Sequence, residues 1–95
     1  MRKTFTLKHP KIKVPRLVDA VKSDVRKYVK RERRKELPEG VDFWDFDCKF
    51  GPTEEAAQTV HLAELNTCID EAEKQQLTSF YIEILAKHGI RQKKT

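Results

Sequence analysis

The sequence predicts an α+β domain of ferredoxin-like βαββαβ plan, with an antiparallel sheet, both helices on one face and a long basic first helix. Three observations carry this expectation. Apolar residues alternate with polar ones in "KTFTLKH", "DFWDFDCKFG" and "SFYIEILAKH", the period of two that half-buries a strand. They recur every three or four residues in "RLVDAVKSDVRKYV", the period of a helix with one buried stripe. Proline, glycine and acidic clusters separate these segments at lengths suited to short connections.

The first strand rests on Phe5 and Leu7, which alternate with Thr4, Thr6 and Lys8. Pro10 and Pro15 bracket an extended connection, since each proline keeps the residue before it out of the α region. Pro15 also suits the first helical position. From there to about Leu37 a helix is expected, its inner stripe made of Leu17, Val18, Val21, Val25, Tyr28 and Val29. That stripe stops at Val29, so the last two turns are expected to overhang the core. "LPEG" at residues 37–40 ends the element.

In the second strand Trp44, Phe46, Cys48 and Phe50 share one face, and Asp45, Asp47 and Lys49 the other. "GPTEE" reads as a hairpin loop, after which "AAQTVHLAEL" can return as the third strand. A register placing Trp44 opposite Leu62, Asp45 opposite His61 and Phe46 opposite Val60 matches every apolar residue to another. The competing reading joins residues 55–65 to the second helix, because "EEAAQTVHLAEL" tolerates that conformation as well. Asn66 is the expected N-cap of the helix "TCIDEAEKQQL", with Leu65, Ile69, Ala72 and Leu77 inward. Phe80, Ile82 and Ile84 line one face of the last strand. The expected domain spans residues 1–90 and a flexible basic tail residues 91–95.

The totals narrow the function classes. Ninety-five residues suffice for one core, and 38% hydrophobic with 37% charged residues fits a compact charged domain better than a disordered chain. No apolar run approaches the roughly 20 residues that cross a bilayer, and no secretory signal is read at the N-terminus. A cytosolic location without membrane contact is expected. Cys48 and Cys68 have no CxxC or histidine spacing and read as free thiols. No cofactor or metal site is expected.

The net charge of +5 hides a segregation: residues 1–35 hold fourteen Lys/Arg against three acids, while residues 36–90 hold three against twelve. The basic part can face an external anion or the chain's own acids.

"RLVDAVKSDVRKYVKRERRKELPEGVDFWDFDCKFG" with "SFYIEILAKHGIRQKK" resembles a family of short bacterial proteins defined only as a conserved domain of unknown function. The likeness covers nearly the whole chain and centres on "LPEGVDFWDFDCKFG". It implies a bacterial, cytosolic protein and transfers neither an activity nor site residues.

Function is therefore read from charge placement. On the outer side of the first helix, Lys22, Arg26, Lys27, Lys30, Arg31, Arg33 and Arg34 crowd together. Like-charge pairs four residues apart each cost about 0.2–0.5 kcal/mol, a repulsion that a bound anion relieves. These seven residues form the candidate nucleic-acid-binding set, contacting chiefly phosphates of RNA or another polyanion. The plainer reading is a solvated face, with the last cations offsetting the helix dipole. Sheet-face stacking of the RNA-recognition-motif kind is excluded, because the third strand lacks aromatics. The second function class is a protein-interaction or structural domain using the same face or the open sheet. A third is a small enzyme using Asp45, His61 and Glu83 on the open sheet face, although no catalytic motif accompanies them. Trp44, Phe46 and Phe50 are expected in the core rather than on a stacking surface.

Overall fold

The computed structural model describes residues 1–91. Strand β1 (Arg2–Thr6) leads to helix α1 (Val14–Arg33). Strands β2 (Phe43–Gly51) and β3 (Gln58–Val60) follow. A 3₁₀ turn (Leu62–Glu64) then runs into helix α2 (Leu65–Lys74), and strand β4 (Ser79–Gly89) closes the fold. The element order agrees with expectation, and the class is α+β with a four-stranded antiparallel sheet. The basic tail expected over 91–95 lies, beyond Arg91, outside the described residues.

The sheet order is β1-β4-β2-β3, which corrects the ferredoxin-like expectation. That plan centres β1 and β3, whereas here β4 and β2 are central and β1 and β3 form the edges. Burial explains the difference. In β4, Phe80, Tyr81, Ile82 and Ile84 are all buried, a density suited to a central strand flanked by a neighbour on each edge. In β1, Phe5 is the one buried residue between Arg2 and Thr6, and charged, short strands suit an edge. β4 consequently takes nine partners from β2 and five from β1.

Both helices lie on one face of this sheet. Val18, Val21, Val25 and Val29 of α1 join Leu65, Ile69 and Ala72 of α2 and the inward residues Phe46, Cys48, Phe80, Ile82 and Ile84 in one core cluster. Leu17 and Tyr28 pack at its margin. The expected stripe of α1 is thus the observed one, and Val29 is its last buried residue.

The end of α1 differs. The helix stops at Arg33, not near Leu37, with Arg34 and Lys35 amides turning back to the carbonyls of Arg31 and Glu32. The Trp44 indole then donates to the Lys35 carbonyl at 2.9 Å. Gly40 adopts φ +83°, supplying the left-handed residue the turn needs. The stub past the core is therefore about one turn. Glu32 is half-buried within it, and the Arg33 guanidinium lies 5.5 Å from the Phe46 ring centroid.

The segment after the β2–β3 loop divides between the two readings offered for it. Residues 58–60 are strand, whereas 62–64 wind into the 3₁₀ turn. β3 pairs Cys48 with Val60 and Phe50 with Gln58, two residues away from the expected register. A slip of two keeps each side chain on its expected face but dissolves the Asp45–His61 and Trp44–Leu62 pairs. Lys87 stands opposite Asp45 and His88 opposite Trp44. Asn66 is not a cap; it lies inside α2. The other end of α2 is a Schellman-type stop, with the Leu77 amide bonded to Ala72 and the Gln76 amide to Glu73. Gln76 occupies the left-handed position at φ +59°.

Candidate nucleic-acid interface

α1 carries its cations on two flanks of the helix, separated by the angular rule of about 100° per residue. Lys22, Arg26, Lys30, Arg33 and Arg34 line a groove of about 510 Å³ between α1 and the 3₁₀–α2 corner. Its floor is apolar, formed by Val25, Val29, Leu62 and Leu65, with Asn66 at the α2 side. On the opposite flank, Lys27 and Arg31 join Lys3, Tyr28 and Asp24 around a second cleft. The seven predicted residues are therefore not one patch but two, five on the groove and two across the helix.

Partnering differs among them. Lys22, half-buried, forms an ion pair with Asp70 of α2. Arg31 lies 5.5 Å from the Tyr28 ring centroid, as Arg33 does from Phe46. Both contacts leave the guanidinium charge uncompensated. Among the described residues, Arg26, Lys27, Lys30, Arg31, Arg33 and Arg34 make no ion pair with a carboxylate. Glu32, the acid nearest in sequence, is taken by Lys35 at 2.7 Å. Asp70, from the acidic second half of the chain, thus neutralises the Lys22 end of the groove and leaves the groove cations of the Arg26–Arg34 end without an ion pair among the described residues. Three cations in the last turn also complement the α1 dipole, an effect confined to that turn that does not reach Arg26.

The groove was only half visible in the sequence. Its cations stand out, but its apolar floor depends on Leu62. Placing that leucine beside α1 requires the 3₁₀ turn in place of a longer strand.

The open sheet face is occupied by its own charges. Lys87 reaches Asp47 at 2.7 Å and Asp45 at 3.7 Å, and the Asp47 contact holds the Lys87 ammonium above the usual lysine range. Glu83 accepts from Arg2 at 3.1 Å and from the Tyr81 hydroxyl at 2.9 Å. Burial, followed by this bond to Glu83, raises the Tyr81 phenol. His61 follows the end of β3 and precedes the 3₁₀ turn. The three residues proposed for chemistry are not assembled: Asp45 and Glu83 pair with cations, and none of them lines the four principal clefts.

Both cysteines are free thiols. Burial, reinforced by Asp47 and Asp45, pushes the Cys48 thiol up to about 11. Burial raises Cys68 as well. Among the described residues, no three His, Cys, Asp or Glu side chains group to hold a metal, and no helix is long and apolar enough to cross a membrane.

These features define a small α+β domain whose first helix forms the cationic wall of an apolar-floored groove. The chain belongs to the family of unknown function DUF6172, whose model matches residues 1–95. No curated protein and no solved structure gives a significant match.

Proposed function

We propose that this protein is a non-enzymatic binding module for a polyanion, with RNA as the leading partner. One observation carries the reading. Arg26, Lys30, Arg33 and Arg34 share one wall of a groove without an ion pair to a carboxylate among the described residues, while Asp70 and Glu32 are engaged by Lys22 and Lys35. Clustered like charges destabilise a helix unless an anion offsets them. A phosphate backbone does so while releasing its counterions. Backbone contacts of this type position a nucleic acid without reading its sequence, so weak sequence preference is expected.

The apolar floor supports a second reading, in which the groove seats apolar side chains of an acidic protein partner. The two readings separate on one experiment. Purified protein is titrated with labelled RNA, with Arg26, Lys30 and Arg34 replaced together by Glu in the variant. Salt-sensitive binding that the triple variant loses supports the RNA reading. An absence of binding, or an affinity that neither salt nor the variant alters, rejects it. Pull-down of a protein partner that survives nuclease then favours the second reading.

A further inference from the structure

We propose that the groove between α1 and the 3₁₀–α2 corner receives an unstacked base of a single-stranded nucleic acid, whose phosphates follow Arg26, Lys30 and Arg34 along α1. This rests on the polyanion reading above and specifies which form of nucleic acid it concerns.

Three features favour a single strand over a duplex. The first is the division of cations between the groove and the opposite flank, where Lys3, Lys27 and Arg31 outnumber Asp24 around the second cleft. A helix is only about 10–12 Å across. A flexible strand can pass over it and use both flanks, whereas duplex, with a persistence length of about 50 nm, cannot bend that tightly. Second, Arg26, Lys30 and Arg34 recur every four residues, an axial step of about 6 Å. That step is comparable to the separation of successive phosphates along an extended strand. Third, the groove puts Val25, Val29, Leu62 and Leu65 directly below those cations. A duplex keeps its bases stacked inside and leaves this apolar surface uncovered. A single strand can turn one base inward, against the floor and beside the Arg34 guanidinium that lines the groove.

The same features weigh against an acidic peptide as occupant. A peptide helix seated in the groove would cover the Arg26–Arg34 wall but leave the Lys27–Arg31 flank unanswered. Polarity follows from Asp70. It pairs with Lys22, so the phosphates are expected toward the Arg34 end and not the Lys22 end.

The test uses fluorescence anisotropy with a short labelled oligouridylate, an RNA duplex of equal length and polyglutamate, against the intact chain and the variants Leu62→Ala and Leu62→Trp. Expected are at least a tenfold preference for oligouridylate over duplex, and severalfold weaker binding by Leu62→Ala with an unchanged salt slope. Leu62→Trp, which enlarges the apolar contact and keeps every charge, is expected to bind more tightly. Duplex bound as tightly as single strand, or affinity unmoved by both Leu62 variants, overturns the base-in-groove proposal and leaves phosphate binding standing. Failure to bind either RNA overturns both. Polyglutamate bound more tightly than oligouridylate overturns both in favour of an acidic protein.

Discussion

Arg26, Lys30, Arg33 and Arg34 set the salt dependence of RNA binding, because these four groove-side cations have no internal carboxylate to release. Each phosphate neutralised on a single strand contributes about −0.7 to the slope of log K against log salt, so four contacts give a slope of about −3. Affinity then falls roughly 50-fold between about 50 and 200 mM salt. Lys30→Ala removes one contact. Its slope is expected near −2, and at about 0.1 M salt its affinity should drop roughly fivefold, the value of one such contact. Lys22→Ala is the internal control. Lys22 is already paired with Asp70, so its loss should leave the slope within error of wild type. Anisotropy titrations with oligouridylate at several salt concentrations measure all three slopes. A slope near zero refutes the reasoning, as does a Lys22 variant that loses as much as the Lys30 variant. Either result would mean that counting unpaired cations does not identify the contacts.

Four further outcomes follow from the packing. Phe80→Ala, at a position with 0% exposure between the rings of Phe5 and Phe50, should cost about 3–5 kcal/mol in denaturant unfolding. Gln76→Gly relieves a left-handed glutamine at φ +59° and should stabilise by about 1 kcal/mol. Any Cβ on Gly51 would sit 2.6 Å from the Ala57 Cα, so Gly51→Ala should destabilise by about 1–3 kcal/mol through the forced shift of the β2–β3 loop. A thiol reagent at neutral pH should modify Cys68 first and Cys48 only on unfolding, since Cys48 is buried with its thiol raised to about 11. The linked sign is that the unfolded Cys48 ionises first. Stability should therefore fall as pH rises from about 9 toward about 11, and Cys48 should impose no pH dependence below that window, where the thiol is neutral in both states.

Local periodicity carried most of the element assignments. Val18, Val21, Val25 and Val29 could occupy one stripe only as a helix, and Trp44, Phe46, Cys48 and Phe50 one face only as a strand. Strand order was harder to read, because hairpin logic favours sequence neighbours and β4 finds its partners far away. The clue was composition. Tyr81 is an aromatic residue on the nominally polar face of β4 and is buried, which a strand flanked by β1 and β2 explains. The register of β3 was misplaced by two residues because Leu62 fits a strand face and a 3₁₀ turn equally well. Its true position, beside Val25 and Val29, turns a basic helix face into a groove. The end of α1 was overrun because "RKEL" has good helix propensity. The tertiary bond from Trp44 to the Lys35 carbonyl accompanies an earlier stop that propensity cannot register.

Backbone amide NMR during titration with a short oligouridylate tests the central claim most directly. Shift changes are expected to concentrate on Arg26–Arg34 and Leu62–Asn66, with smaller effects at Lys3. Changes confined to β2 and β4 residues of the open face, or an unperturbed spectrum at saturating RNA, would contradict the account.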